Sequence, residues 1–222
     1  MAGPDPIEPI IIKEAGLKFL ARPITGQKTG LFIDQREHRI RIGQHSRGAT
    51  VINLFAYNGG FSVHAAAGGA KHVISVDIAQ AALDDAIENF RLNGLNPDAH
   101  AFIAADVFKW TPEAKADLVI CDPPSLTHGK SSDDNARRVY RDLAQRSGGM
   151  VTPGGVLAAA SCTARLSWER WEQSVREGVS KTGRWSWLWR AAEPPDHPVA
   201  LGHPEGHYLK FTLLRRHHSR FD

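Results

Sequence analysis

Short apolar runs alternate with stretches of helical periodicity over most of the chain from Gly48 onward. The apolar runs predict strands in "ATVINLFAY", "HVISVDI", "AHAFIAAD", "ADLVICD" and "VLAAASC". The stretches between them predict helices, such as "GFSVHAAAGG" and "QAALDDAIENFRLNG". Strands that alternate with helices in this way pair in parallel through right-handed crossovers, which bury both faces of the sheet. The pattern therefore predicts an α/β fold with a mostly parallel sheet.

The remaining segments predict a small N-terminal extension and a C-terminal pair of strands. Turn residues between short apolar pieces in "GLKFLARPITGQKTGLFIDQREHRIRI" predict a hairpin that leads into a helix near residues 34–44. We expect a short helix around "VFKWTPE", an Arg-rich helix over 136–150, a turn at "TPGG" and a Trp-rich helix over 167–182, whose tryptophans pack in the core. The segments "RWSWLWRAA" and "HYLKFTLLRR" predict the last two strands, joined by a loop over 193–206.

The composition fits one large globular domain with a small appendage. With 222 residues, of which 42% are apolar, the chain can bury a substantial core. The spacing of its two cysteines indicates neither a disulfide framework nor a four-ligand zinc site. No apolar run reaches the roughly 18 residues of a membrane span, and the N-terminus lacks a signal-peptide pattern, so we expect a soluble cytoplasmic protein. The formal charge of +3 allows an anionic partner without requiring one.

The predicted strands end in residues suited to binding a nucleoside. The first is followed by Gly59–Gly60, which lets the backbone approach a ligand where the next helix begins, although many such turns serve packing alone. The second ends in Asp77, placed to accept hydrogen bonds from a ribose, and the third in Asp106, which can sit beside a base. The fourth ends in Asp122 and a Pro-Pro turn. Because the glycine turn lacks a "GKS" or "GKT" ending, a nucleoside without a phosphate tail is favoured.

Several longer motifs, in this order, resemble one known family. They are "GLKFLARPITGQKTGLFIDQREHR", "NLFAYNGGFSVHAAAGGA", "SVDIAQAALDDAIENFRLNG", "CDPPSL", "SCTA" and "EPPDHPVALGHPEGHYLK". Over about residues 14–215 the chain resembles the class I S-adenosylmethionine-dependent methyltransferases of the large-subunit ribosomal RNA 5-methylcytosine group. The resemblance implies a Rossmann-like, seven-stranded sheet with one reversed strand, S-adenosyl-L-methionine as methyl donor and RNA, in particular ribosomal RNA, as substrate. We expect an N-terminal arm and hairpin cap at residues 1–45 and the catalytic domain at residues 46–222.

The resemblance also implies roles for individual residues. The segment 55–60 would line the methionine part of the donor, Asp77 its ribose and Asp106 its adenine. The expected donor contacts are Phe55, Ala56, Tyr57, Asn58, Gly59, Gly60, Asp77, Ile78, Asp106, Val107, Asp122 and Pro123. Asp122 would also contact the target base, and the run Asp34–Arg36 would close over the donor or the substrate. The expected substrate contacts are Lys28, Gln35, Arg36, Pro124, Ser125, Lys130 and Arg165.

Two cysteines are candidates for the nucleophile that carbon-5 methylation of cytosine requires, because a thiolate must first add at carbon 6 of the ring. Adjacent side chains of a strand point to opposite faces, so Cys121 should pack in the core if Asp122 faces the crevice. Cys162 follows the next strand and matches the Ser-Cys motif that carries the nucleophile in the resembled family. We therefore predict that Cys162 and Asp122 are catalytic, with a structural role for Cys162 as the alternative.

Two side-chain clusters have competing interpretations. The spacing of His197, His203 and His207 with Asp196 matches no standard zinc pattern. We therefore expect a loop that positions the substrate, as the family resemblance implies, rather than a metal site. A basic cluster either follows an RNA backbone or forms an ordinary solvated helix face: Lys130, Arg137, Arg138 and Arg141. Arg165 either lowers the pKa of the Cys162 thiol, contacts phosphate or is an ordinary surface arginine.

Three functions remain open from the sequence. The first is an RNA cytosine carbon-5 methyltransferase. The second keeps the donor but methylates another nucleobase position or a small molecule, and the third is a non-catalytic protein that binds the donor or RNA. Members of the resembled family usually carry an RNA-binding module before the catalytic domain, and we expect this chain to lack it. The oligomeric state is open, with a dimer as one option, and no membrane partner is expected.

Overall fold

Two sheets contain the strands of the computed structural model, which describes residues 9–26, 30–126, 133–203 and 206–218. The strands are β1 (Ile10–Glu14), β2 (Leu17–Ala21), β3 (Thr50–Leu54), β4 (His72–Asp77), β5 (Ala101–Ala104), β6 (Ala116–Cys121), β7 (Val151–Ser161), β8 (Trp185–Ala191) and β9 (Lys210–Arg216). The first two form an antiparallel hairpin, and the other seven form one sheet in the order β5-β4-β3-β6-β7-β9-β8.

One strand of the seven-stranded sheet runs against its neighbours. The pairs β3–β4, β3–β6, β4–β5 and β6–β7 are parallel, whereas β9 is antiparallel to both β7 and β8. The prediction of a mostly parallel α/β sheet with one reversed strand, preceded by a hairpin, is therefore confirmed. Side chains of the central strands alternate between two cores: Val51 packs on one face and Ile52 on the other. This burial on both faces explains their continuous apolar runs.

Helices cover both faces of the sheet. They are α1 (Arg36–Gln44), α2 (Gly60–Ala67), α3 (Gln80–Leu92), α4 (Asp133–Met150) and α5 (Trp168–Val179), with short 3-10 turns at Ile33–Gln35 and Pro97–Ala99. One core contains Leu143 of α4 and Trp171 of α5, and the other contains Phe61 of α2, Phe90 of α3 and Phe19 of β2. As predicted, tryptophans of the 168–189 region pack against these cores. Within the described ranges, no helix is both long and apolar enough to cross a membrane.

Three local predictions differ from the structure. The hairpin turns earlier than expected, at Ala15–Gly16, where both residues have positive φ as a two-residue primed turn requires. The helix predicted around "VFKWTPE" is a turn, because the Asp106 carboxylate accepts the Phe108 N–H (3.0 Å) and Pro112 disfavours helical continuation. The "TPGG" segment lies within β7, where Ala116 pairs with Val151 but Leu118 pairs with Val156, so the extra residues bulge out.

A buried cluster of charged groups ties the hairpin to the first two helices. Glu14, at the end of β1, accepts hydrogen bonds from Arg39 of α1 (Nε to Oε1, 2.7 Å), and its Oε1 lies 3.1 Å from Nε2 of His64 in α2. Burial alone would raise the pKa of Glu14, but the hydrogen bonds with His64 and Arg39 outweigh it and lower the pKa to about 2. The ionised form of Glu14 therefore stabilises the fold.

Replacing Glu14 with Gln is expected to lower the free energy of unfolding at pH 7 by about 3–5 kcal/mol, because the change leaves Arg39 as a buried charge without its carboxylate. The ionised carboxylate contributes fully above its usual pKa of 4.5, and the contribution is lost as the pH falls toward about 2. Urea unfolding between pH 7 and pH 3 should therefore show a steeper acid loss for the wild type than for the variant.

Glu88→Gln is the matched control, since Glu88 pairs with Arg91 at an exposed site (3.3 Å). We expect it to change the free energy of unfolding by less than about 0.5 kcal/mol. Equal stability and equal acid sensitivity of the wild type and Glu14→Gln would contradict the role assigned to this cluster.

Candidate active site

A cleft of about 740 Å³ opens at the carboxyl edge of the large sheet. The five neighbouring parallel strands end at this edge, so the residues that follow them meet there although they are far apart in the chain. The predicted site residues that line the cleft are Gln35, Phe55, Ala56, Tyr57, Asn58, Gly60, Asp77, Ile78, Asp106, Val107, Asp122, Pro123, Pro124 and Cys162. Most of the predicted donor contacts are thus brought together in one cavity.

The loop between β3 and α2 adopts an unusual backbone that forms one wall of the cleft. Phe55, Tyr57 and Gly59 all have positive φ (58°, 49° and 77°), which is uncommon for the two aromatic residues. Hydrogen bonds hold this conformation: Asn58 donates to the Gly30 carbonyl (2.6 Å) and accepts at its own carbonyl from Asn89 (2.8 Å). Gly59 does not itself line the cleft. Its function is to let the loop pass close to α3.

Two carboxylates cap the backbone at neighbouring strand ends. Asp77 accepts hydrogen bonds from the N–H groups of Tyr57 (2.8 Å) and Ala79 (3.0 Å), and Asp106 accepts one from Phe108. Apolar side chains beside them are unusually exposed, at 75% for Ile78 and 46% for Phe108. The ring of Phe108 also meets that of Phe55 edge-on at 5.8 Å. Carboxylate acceptors between exposed apolar surfaces fit the hydroxyls and flat ring of a nucleoside.

A hydrogen-bonded chain orients Asp122. Gln35 is 4% exposed and donates from Nε2 to Oδ2 of Asp122 (3.0 Å). Its other end, Oε1, lies 2.5 Å from Nδ1 of the fully buried His38. Burial lowers the pKa of His38 to about 4, so its ring is neutral near pH 7 and can donate from Nδ1 to Gln35. Gln35, predicted to contact substrate, is therefore positioned to fix the carboxylate that follows β6.

The two cysteines lie in different surroundings. Cys121 is 4% exposed within the core beneath α4 and α5, and burial, followed by the charge of Asp122, raises its pKa to about 12. The prediction that Cys121 packs in the core is confirmed. Cys162 follows β7 and lines the cleft together with Asp122 and Pro124. Its thiol is thus the one that a ligand in the cleft can reach.

The predicted substrate contacts are divided between the cleft and its surroundings. Arg36 does not line the cleft, because its guanidinium pairs with Asp196 and with Glu37. Ser125 is half-buried and Arg165 is exposed, and neither is among the lining residues. The predictions for Lys28 and Lys130 fall outside the described residues. Arginines of the basic cluster on α4 have local partners: Arg137 with Asp134 (3.8 Å), Arg141 with Asp142 (3.6 Å) and Arg138 with Asn135 (2.8 Å).

Several lining residues were not singled out from the sequence. Arg22 follows the hairpin and forms a two-point ion pair with Asp85 of α3 (2.9 and 2.8 Å). Tyr208, in the segment before β9, was not singled out either, and its hydroxyl donates a hydrogen bond (2.6 Å) to Asp34 of the predicted Asp34–Arg36 run, which lines the cleft. The set of additional lining residues includes Thr25, Leu31, Phe32, Arg39, Phe61, Ala82 and Phe108. The signal available from the sequence for Phe108 was a large aromatic residue two positions after Asp106, at the end of a predicted strand.

Comparisons with known proteins agree with the chemistry of the cleft. A family model described as S-adenosylmethionine-dependent methyltransferase matches residues 1–202. The "Ribosomal RNA large subunit methyltransferase" of Deinococcus radiodurans is 42% identical over 212 residues, which are 93% of this chain and 52% of that protein. The "Ribosomal RNA large subunit methyltransferase I" of Aeromonas salmonicida is 36% identical over 219 residues, which are 96% of this chain and 55% of that protein. The chain thus spans about half the length of these relatives.

A solved structure supports the same relationship. A protein described as a methyltransferase complexed with SAH superimposes with a TM-score of 0.87 at 28% identity, covering 97% of this chain and 58% of that one. The acceptors and apolar walls around Asp77 and Asp106 fit the nucleoside part of such a ligand. The chain belongs to the S-adenosylmethionine-dependent methyltransferase family, and S-adenosyl-L-methionine is its methyl donor.

Proposed function

We propose that this protein methylates carbon 5 of a cytosine in RNA, with Cys162 as the covalent nucleophile. The observation that carries the proposal is the shared position of Cys162 and Asp122, which line the same cleft as the strand-end residues of the donor site. Two relatives with "ribosomal RNA large subunit methyltransferase" in their names support RNA, and specifically ribosomal RNA, as the substrate. Because the chain spans about half of each relative, the substrate is part of the proposal rather than of the family assignment.

The donor is proposed to lie along the ends of β3, β4 and β5. The segment 55–60 surrounds its methionine part, Asp77 with Ile78 contacts the ribose, and Asp106 with Val107 contacts the adenine. Pro123 and Asp122 face the boundary between donor and target base. Pro124, Ser125, Gln35 and Arg36, with Lys28, Lys130 and Arg165, make up the proposed substrate side. S-adenosylmethionine supplies the methyl group that the target atom takes up.

Cysteine chemistry explains why a thiol belongs in this cleft. Carbon 5 of cytosine is a poor nucleophile until electron density is pushed into the ring. The thiolate of Cys162 forms an S–C bond at carbon 6, and Asp122 hydrogen-bonds the base edge and stabilises a proton at nitrogen 3. Carbon 5 takes up the methyl group as the sulfonium–methyl bond of the donor breaks and S-adenosylhomocysteine leaves. The carbon-5 proton then leaves to a base or to water, and the S–C6 bond breaks to return the thiolate. Gln35 holds the Asp122 carboxylate in place throughout (3.0 Å).

Labelled donor and mass spectrometry test the reaction directly. Unmodified large-subunit ribosomal RNA, transcribed in vitro and incubated with the protein and S-adenosylmethionine carrying a labelled methyl group, should yield labelled 5-methylcytidine after digestion to nucleosides. Asp122→Asn should reduce the product at least about a hundredfold, as expected for loss of a group that acts on the reacting base. A different labelled nucleoside would overturn the cytosine assignment, and a labelled small molecule in place of RNA would overturn the RNA assignment.

RNA that contains 5-fluorocytosine should trap the covalent intermediate, because fluorine on carbon 5 cannot leave as the proton does. The adduct should survive denaturing electrophoresis and disappear in Cys162→Ser. Cys121→Ala is the matched control: it removes the buried thiol, and its adduct should persist. An adduct of unchanged yield in Cys162→Ser would show that Cys162 is not the nucleophile.

Gly59→Ala is expected to weaken binding of S-adenosylmethionine more than about tenfold. A Cβ there would lie 2.7 Å from Cβ of Ala86, so the loop would have to move away from α3 and alter the wall of the cleft. Gly94→Ala is the control, because φ is also positive (67°) but nothing lies within 4 Å of the added Cβ. Both changes carry a backbone penalty of about 1–2 kcal/mol. Calorimetric titration should show weakened binding for Gly59→Ala alone, and equal affinities would argue against this loop as a donor site.

A further inference from the structure

Lys210 is a buried cation beside the end of β7. Its side chain is 2% exposed, and its Nζ donates hydrogen bonds to the carbonyls of Thr163 (3.0 Å) and Tyr208 (2.9 Å). Removing an ammonium group from water is unfavourable, and carbonyl groups compensate less than a carboxylate would. A lysine in this position is therefore better explained by what its charge does than by packing alone.

The register of the sheet brings Lys210 to the segment that carries Cys162. Because β9 is antiparallel to β7, its first residue pairs with the last residue of β7, so Lys210 lies opposite Ser161. Cys162 is the next residue, and the carbonyl that Lys210 binds belongs to Thr163, one position further. The other groups of Thr163 are also bound, with its Oγ1 2.7 Å from the hydroxyl of Tyr140. Lys210 thus clamps a segment whose central residue is the thiol in the cleft.

The charge of Lys210 persists near neutral pH. Burial lowers its pKa to about 8, while the negative charges of Glu193 and of the Cys162 thiolate favour the protonated form. Burial is the main cause that raises the pKa values of Tyr140 and Tyr208, and the negative charge of the Cys162 thiolate also raises them. Near pH 7 both tyrosines are neutral, whereas Lys210 is a cation.

Acidic groups lie around the segment that carries the thiol and the residues that pack on it. Asp122 shares the cleft with Cys162, and Asp34 and Glu193 act on Tyr208. Arg165 lies three positions after Cys162 on an exposed turn, where solvent screens its charge. Arg39, which lines the cleft, is paired with Glu14. Of these three cations, Lys210 is therefore the one best able to offset the carboxylates near the thiol.

We propose that Lys210 is a positioning residue for Cys162, holding the 161–163 segment through its carbonyl hydrogen bonds and stabilising the Cys162 thiolate through its buried ammonium. The proposal rests on the proposed function only in that the thiolate is the nucleophile for cytosine. The coupling between the two side chains belongs to the free protein and can be measured without RNA. Lys210 has no assigned contact with the base or the donor, and it acts through Cys162.

The pH dependence of Cys162 alkylation tests the coupling. Iodoacetamide labelling of the full chain, followed by peptide mass spectrometry to separate Cys162 from Cys121, gives the pH of half-maximal reactivity for each thiol. In the wild type this midpoint for Cys162 should lie below about 8.5, the ordinary value for a cysteine. In Lys210→Met it should move up by at least one pH unit, with a roughly tenfold slower reaction at pH 7.

Two further variants separate charge from packing. Lys210→Arg keeps the cation and should restore most of the low-pH reactivity, whereas Arg165→Met, which removes the exposed cation, should leave the profile unchanged. Thermal unfolding of each variant shows whether it is folded. If Lys210→Met does not fold, the wild-type midpoint decides, and a value at or above about 8.5 overturns the proposal. Superimposable profiles for folded Lys210→Met and wild type overturn it as well.

The 5-fluorocytosine experiment keeps the two proposals distinguishable. A shifted alkylation profile in Lys210→Met without an RNA adduct in the wild type would support the Lys210–Cys162 coupling and overturn the proposed reaction. An adduct in the wild type with an unshifted profile in Lys210→Met would support the reaction and overturn the coupling. If both hold, Lys210→Met should form the adduct about tenfold more slowly at pH 7, and the difference should shrink as the pH is raised.

Discussion

Parallel pairing of five neighbouring strands determines where the candidate functional side chains lie. β5, β4, β3, β6 and β7 run in one direction, so Phe55, Asp77, Asp106, Asp122 and Cys162, which lie at or just after their carboxyl ends, meet at one edge. The reversed strand adds to this arrangement from the opposite direction. Since β9 is antiparallel to β7, its amino end reaches the same edge. Tyr208, which lies just before β9, donates a hydrogen bond from its hydroxyl to Asp34 there. Strand direction thus assembles a site from positions spread along the chain.

The two-residue period of a strand distinguishes the two thiols. Cys121 and Asp122 are adjacent, yet the first packs beneath the α4–α5 layer and the second lines the cleft. Burial raises the pKa of Cys121 to about 12, so almost none of it is a thiolate near pH 7. A shift of one residue in the register of β6 would exchange these environments, placing the thiol in the cleft and burying a carboxylate. The free-energy cost of burying the Asp122 carboxylate opposes that shift.

The features predicted correctly from the sequence are those governed by local periodicity and strand direction. Alternating strands and helices predicted the sheet, and the strand-end residues Asp77, Asp106 and Asp122 were expected at the ligand crevice, where they line the cleft. The other donor contacts were expected from the family resemblance. The prediction of a short helix around "VFKWTPE" was wrong because the side chain of Asp106 binds the Phe108 N–H. Hydrophobic periodicity does not reveal that contact. Arg22, Tyr208 and Lys210 were not predicted for a different reason. Their positions depend on how the hairpin and the last strands pack on the sheet, and that packing cannot be predicted from a short sequence motif.

The charge of the cleft limits which part of an RNA could enter it under the proposed function. Among the described lining residues are five carboxylates, Asp34, Asp77, Asp85, Asp106 and Asp122, and two guanidinium groups, Arg22 and Arg39. Both guanidinium groups are already paired, Arg22 with Asp85 and Arg39 with Glu14, so the described part of the wall carries a net negative charge. Such a wall repels phosphate but accepts a neutral base and the positively charged sulfonium of the donor. The target base must therefore leave its stack and enter alone, and the phosphate contacts that give affinity for RNA must lie outside the cleft.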